Sequence, residues 1–235
     1  MRPLALLFDL DNTLAHRGLS IASYARRFAA DFGERLPADV TSAAVAGLID
    51  ERDGGGYGVP GSPFPTVRDD VAHALATRLP WSDVPTSEAL TRHWFAHFPA
   101  CSVEMPGAGA LLDRLAADGL RLAIVSNGQE ASRRALARGL GLDRRVRTLV
   151  SSERAGARKP DARPFLLAAE ELDVAPQRCW FVGDHPVNDV AGAHAAGMRA
   201  IWLRGFHDWP ATLATHTTIS ALDELDALIG TQDAT

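Results

Sequence analysis

Short apolar runs recur along the chain, separated by longer stretches in which apolar residues return every three or four positions. "LALLF" (4–8), "RLAIV" (121–125), "RTLV" (147–150), "CWFV" (179–182) and "RAIWL" (199–203) are nearly continuous apolar runs. Runs this short and this uniformly apolar predict strands covered on both faces, as in a parallel sheet. Segments 107–119, 130–141, 162–174 and 187–197 carry helical spacing instead, and several close on glycine, a common helix stop. From residue 103 onward strand alternates with helix. That rhythm predicts an α/β fold built on a Rossmann-like, doubly wound parallel sheet.

Residues 15–102 break the rhythm. "SIASYARRFAADFG" sets Ile21, Tyr24, Ala25, Phe28 and Phe32 on one helical stripe, with Gly33 as the expected stop. Segments 37–52, 66–79 and 87–98 also read as helices, and no strand is predicted among them. The organisation is therefore an α/β core of residues 1–14 and 103–235, interrupted after its first strand by an α-helical domain of residues 15–102. Neither repeats nor low-complexity tracts are evident, and the tail "GTQDAT" (230–235) is expected to fray.

Composition narrows the function. With 235 residues, 46% hydrophobic and 23% charged, the chain is an ordinary soluble globular protein of one large domain or a core with an insert. A net charge of −5 argues against a nucleic-acid partner but leaves room for a small anionic substrate in a local pocket. The first apolar stretch, about six residues long, is too short for a signal-peptide core or a membrane span, so a cytoplasmic protein without a membrane partner is expected. Cys101 and Cys179 stand far apart in no CxxC pattern and read as free thiols of a reducing compartment. Nothing in the pattern specifies an oligomeric state.

Ligands of open α/β sheets bind at the carboxyl ends of the strands, so the residues that follow each apolar run matter most. Asp9 and Asp11 follow the first run. Ser126, Asn127 and Gly128 follow the second, and Gly183, Asp184 and Asp189 come after "CWFV"; Lys159 precedes the helix that begins near Pro164. Acids crowded at buried strand ends repel one another unless a cation relieves them. Oxygen-only donors suit Mg²⁺. A carboxylate can also attack phosphorus, and such chemistry needs a nucleophile, a proton donor, a metal and partners for the phosphoryl oxygens. Asp9, Asp11, the Asp184 region, Ser126 and Lys159 would supply them.

"DLDNT" (9–13), "VSNG" (125–128), "RKP" (158–160) and "VGDHPVND" (182–189), in this order, resemble the four motifs of the haloacid dehalogenase-like (HAD) hydrolase superfamily. The resemblance implies that residues 15–102 form a cap that opens to admit substrate and closes over it. It implies that Asp9 is the nucleophile and that Asp11 is the acid which protonates the leaving alcohol and then activates water. In similar proteins the first aspartate's side chain and the second's carbonyl bind Mg²⁺, which makes Asp9, Asp11 and Asp184 metal ligands. Asp189 matches an acid that ligates directly, through water, or by orienting the lysine. Ser126, Asn127 and Lys159 would hold the phosphoryl group.

The implied activity is Mg²⁺-dependent hydrolysis of a small phosphorylated metabolite through an aspartyl-phosphate. Asp11 favours that reading, because the dehalogenases that name the superfamily attack carbon, need no Mg²⁺ and usually lack an aspartate two residues after the nucleophile. Three alternatives stay open: a 2-haloacid dehalogenase, a phosphomutase, and a catalytically inactive binding protein of the same fold.

Other motifs read as structural. "DLDNTLAHRGLS" lacks the glycine and final glutamate of a calcium loop, and "GYGVPG" (56–61) lacks the strand and helix that a dinucleotide site requires. His93 and His97 have zinc-compatible spacing but offer no third ligand in sequence, so packed or solvated histidines are expected. His185 is read as a loop residue near the metal, with a substrate contact as the less favoured role. The arginines of "RRALARGLGLDRRVR" (133–147) read as a solvated helix face, and the five tryptophans as packing groups.

Overall fold

A computed structural model describes residues 2–214 and 216–230; of the end expected to fray (230–235), Gly230 is helical and residues 231–235 lie outside the described residues. The chain divides into two compact units, one of Met1–Ala15 and Glu104–Thr235, the other of His16–Val103. Strands β1 (Ala5–Phe8), β2 (Arg121–Ser126), β3 (Thr148–Ser151), β4 (Cys179–Gly183), β5 (Arg199–Leu203) and β6 (Thr217–Ile219) all belong to the first unit. The second contains helices α1 (Arg17–Phe32), α2 (Ser42–Asp53), α3 (Val67–Arg78) and α4 (Ser87–His97). Helices α5 (Ala108–Ala117), α6 (Glu130–Gly139), α7 (Ser152–Ala155), α8 (Arg163–Leu172), α9 (Gly192–Ala195) and α10 (Glu224–Gly230) complete the first.

The six strands make one sheet in the order β3-β2-β1-β4-β5-β6, with every pairing parallel. Parallel neighbours need crossovers, and the apolar runs are covered on both faces as that demands. Every residue of β1 is buried. On one face Leu7, Val125, Phe165 and Phe181 share a core, with the Phe165 and Phe181 rings edge-on at 4.8 Å. Each predicted strand is present to within a residue or two. Strand β6 escaped prediction because it is three residues long and reads Thr-Thr-Ile, without an apolar run.

Register decides what reaches the sheet edge. Phe8 pairs with Ile124 on one side and Val182 on the other, so Asp9, Ser126 and Asp184 leave their strands at nearly the same level. The Asp9 amide donates to the Val182 carbonyl at 2.9 Å. Between β1 and β4 the strand order reverses direction. That is the switch point at which doubly wound sheets bind ligands.

Residues 16–103 fold as helices with no strand among the described residues of this unit. Threonine caps three of them. The hydroxyls of Thr41, Thr66 and Thr86 accept from the amides of Ala44 (3.1 Å), Asp69 (3.2 Å) and Ala89 (3.1 Å). Capping satisfies amides that the first turn leaves free, and the Thr41 cap makes α2 start at Ser42 rather than near residue 37. Ile21, Tyr24, Ala25 and Phe28 form the buried face of α1, as the stripe predicted. Gly33 does not end that helix in a left-handed turn; it stays right-handed and leads into a tight turn over Gly33–Arg35.

A buried ion pair ties α1 to α2. Arg17 Nε donates to Asp53 Oδ2 at 3.0 Å and Nη2 to Oδ1 at 2.5 Å, while its guanidinium lies 5.0 Å from the Phe98 ring. Asp53 is fully buried. Breaking such a pair strands one charge away from water. Asp53→Ala is therefore expected to lower the unfolding free energy by about 3–5 kcal/mol in a urea titration. Replacing both partners, Arg17→Met with Asp53→Leu, is expected to recover most of that loss.

Candidate active site

Asp9 leaves β1 into a tight turn. The amides of Leu14 and Ala15 both donate to the Leu10 carbonyl, at 3.0 and 2.8 Å, and Asn12 takes the left-handed conformation (φ 56°) that asparagine tolerates. Lys159 is the hub of the site. Its ammonium, with the side chain 1% exposed, donates to Asp9 Oδ1 (2.6 Å), Asp189 Oδ1 (2.6 Å) and the Val125 carbonyl (2.9 Å). All three of its protons are used. The Asn127 side chain brackets the lysine's backbone, accepting from its amide at 2.8 Å and donating to its carbonyl at 3.1 Å.

Asp189 lies in the wide helical turn Pro186–Ala191 that follows β4. Its second oxygen accepts from the His185 amide at 2.9 Å. Gly183 makes room for this fold-back, since a Cβ there would sit 2.5 Å from the Asp189 carboxyl carbon. Asp184, fully buried, has no hydrogen bond on either carboxylate oxygen among the described residues, although His207 Nε2 lies 3.3 Å from one of them.

The electrostatics follow from burial. Desolvation pushes the Asp9 carboxyl well above the usual carboxylate range, against the pull of Lys159. It pushes Asp184 up to about 6, with His207 opposing the rise and Asp189 adding to it. Burial also works against the Lys159 charge, but Asp189 and Asp9 outweigh it and hold the ammonium above its ordinary range. Three buried carboxylates thus face one buried ammonium.

Oxygens of Asp9, Asp184 and Asp189 lie within 4.8 Å of one another. The set fits a divalent cation on two grounds. The Asp184 oxygens lack hydrogen-bond partners, and the donors are all hard carboxylate oxygens, which Mg²⁺ takes together with water.

The sequence model of the haloacid dehalogenase-like hydrolases matches residues 4–197. The chain belongs to this family. Several curated relatives are named phosphoglycolate phosphatase, and two of them are typical. One, from Rhodospirillum rubrum, is 33% identical over 203 residues, 85% of this chain and 78% of its own length. The other, plasmid-encoded in Cupriavidus necator, is 34% identical over 229 residues, covering 96% of this chain and 92% of its own. Among solved structures, a magnesium-bound HAD-hydrolase of Bacillus subtilis shares the fold with a TM-score of 0.75 at 20% identity, over 97% of this chain and 99% of that one.

Within this HAD-like chain, the structure brings Asp9, Lys159, Asp184 and Asp189 together and sets Asn127 against the lysine's backbone. Ser126 ends β2, buried and in register with Ser151. Of the three roles open to Asp189, orienting the lysine is the one whose contact is present. His185 is a cap: its Nδ1 accepts from the amides of Val187 and Asn188, each at 3.2 Å.

Two groups were missed. His207 follows β5, and applying the strand-end rule to that run would have found it. Arg133, read as part of a solvated helix face, instead pairs with Asp11, each side chain only about 15% exposed or less (14% and 15%).

In residues 16–103 a second cluster joins Asp31, His93 and His97. Asp31 is the third group that the sequence did not offer. Both His93 nitrogens are engaged, with the Tyr24 hydroxyl at 2.8 Å and Asp31 at 2.9 Å, so the expectation of a satisfied histidine fits its contacts.

Two outcomes are expected. Gly183→Ala must push Asp189 off its place beside Lys159 and is expected to cost about 1–3 kcal/mol, measured by thermal unfolding. Burial lowers the His93 pKa from the ordinary 6.5 despite Asp31, so the folded chain binds this proton less readily than the unfolded one. Its contribution to stability is complete above about pH 6.5 and declines as the pH falls below it. Urea titrations from pH 7.5 to 5 are expected to show a steeper acid loss for the native chain than for His93→Gln.

Proposed function

We propose that this chain is a Mg²⁺-dependent phosphatase that hydrolyses a small phosphomonoester through an aspartyl-phosphate. The observation that carries the reading is Asp9, buried at the switch point in hydrogen-bond contact with Lys159, with a second aspartate, Asp11, on the same turn. The relatives' name puts phosphoglycolate at the head of the candidate esters. A cytoplasmic location is supported by the free thiols of Cys101 and Cys179.

In the first step a carboxylate oxygen of Asp9 bonds to phosphorus as the ester P–O bond breaks, and Asp11 gives its proton to the leaving oxygen. In the second, Asp11 takes a proton from water while the water oxygen attacks phosphorus. The Asp9–phosphorus bond breaks, which releases inorganic phosphate and restores both carboxyl groups. Lys159 neutralises the nucleophile and the charge that develops on the phosphoryl oxygens. Ser126 and the backbone around Asn127 hold those oxygens. Asp9, Asp184, the Asp11 carbonyl and Asp189, directly or at one remove, would hold Mg²⁺, which when bound neutralises phosphoryl charge as a Lewis acid.

A phosphomonoester panel with Mg²⁺, with Asp9→Asn as the blank, tests the reading. Phosphate release is expected to vanish in Asp9→Asn and under a chelator, and to return on adding Mg²⁺. Halide release from 2-chloropropionate without metal would overturn the proposal. Opposite charges about 4 Å apart are worth roughly 4 kcal/mol at an effective dielectric near 20, so Lys159→Ala is expected to lower kcat about 10³-fold. The same variant leaves Asp9 and Asp189 without their buried counter-charge. An unfolding loss of about 3–5 kcal/mol is therefore expected in metal-free protein.

A further inference from the structure

Arg133 lies in the first turn of α6, and its guanidinium is not spent on solvent. Nη1 donates to Asp11 Oδ2. Its Nε is buried against Gly128 and has no hydrogen-bond partner among the described residues, which leaves it an unused donor. The side chain runs against the backbone of Gly128, where a Cβ would lie 2.9 Å from Nε. Only glycine leaves that space, and Gly128 also has the positive φ (146°) that other residues avoid. Ser152 fixes this loop by accepting from the Gly128 amide at 2.9 Å. The arginine is thus held between the loop after β2 and the acid after β1.

That placement has a consequence for the substrate, and it rests on the phosphatase reading above. Asp11 serves the leaving oxygen, so the group that touches Asp11 stands on the leaving-group side of the phosphorus. The guanidinium and the leaving oxygen therefore compete for the same Asp11 carboxyl group. We propose that Arg133 binds a carboxylate carried on the carbon next to the ester oxygen, exchanging Asp11 for the substrate's own acid. The substrate class is a 2-phospho-acid. Its carboxylate takes the guanidinium, for which a planar fork of donors is well suited, and the exchange frees Asp11 to reach the leaving oxygen.

The test compares 2-phosphoglycolate with ethyl phosphate, which keeps the alkyl ester and lacks the acid. Wild type is expected to prefer phosphoglycolate. Arg133→Gln is expected to lower the ratio of kcat/KM for phosphoglycolate to that for ethyl phosphate about a hundredfold, as the loss of one partner of a desolvated charge pair does, whatever the shared effect through Asp11 on both esters. Arg133→Lys, which keeps the charge without the fork, is expected to retain part of the preference and guards against a glutamine variant that does not fold. A misfolded fraction lowers both rates together and leaves their ratio alone. An unchanged ratio in both variants, or a wild type that shows no preference for the acid, overturns the inference and leaves the phosphatase reading standing. A wild type that hydrolyses no phosphomonoester overturns the reading beneath it.

Discussion

A buried ammonium held between two carboxylates organises the catalytic unit. Lys159 reaches Asp9, Asp189 and the Val125 carbonyl from a backbone that Asn127 grips on both sides. Charges removed from water are costly unless paired and fully hydrogen-bonded, and this lysine meets both conditions. The same arithmetic leaves Asp184 poorly served. Its oxygens accept no hydrogen bond among the described residues, His207 stands 3.3 Å from one of them, and a lysine with a histidine that is charged only when protonated does not balance three acids. A divalent cation bound there would complete the count, which is the electrostatic ground for the proposed metal requirement.

The fold meets that constraint by spending apolar sequence on the strands and polar sequence only at their ends. Phe8, Ile124 and Val182 stand in register, and the chain turns polar within two residues of each. Gly183 follows the same economy of space: with no side chain there, Asp189 can fold back to Lys159. Gly128 does likewise for Arg133. In both places the motif glycine matters because a neighbouring charged side chain occupies the volume a Cβ would need.

What the sequence revealed and what it hid divide along physical lines. Strands β1 to β5 were legible because burial on both faces demands continuous apolar runs, and strand-end acids were legible because the sheet sets where ligands lie. Interactions between distant segments were not. Periodicity marks Arg133 as lying off the apolar stripe of α6, yet it cannot tell water from an acid more than a hundred residues away in sequence. Asp31 beside His93 and His97 was hidden for the same reason, since α1 and α4 meet only in the fold. His207 was different. It stands just after β5 and was overlooked although the rule that found Asp184 covers it.

Arg133 does not by itself separate phosphoryl transfer from dehalogenation, because a 2-haloacid carries a carboxylate on the same carbon as its leaving group. The other charges do. Halide departs as an anion and needs no proton, so a site built for it gains nothing from an acid at position 11. Attack on carbon also creates no cluster of phosphoryl oxygens that would call for a divalent cation. Yet Asp184 remains buried with oxygens that accept no hydrogen bond among the described residues, at a cost that His207, 3.3 Å from one of them, offsets only in part in a metal-free reaction. A phosphate ester uses every one of these groups. The surplus of negative charge at the sheet edge, more than any single residue, is what favours phosphorus over carbon.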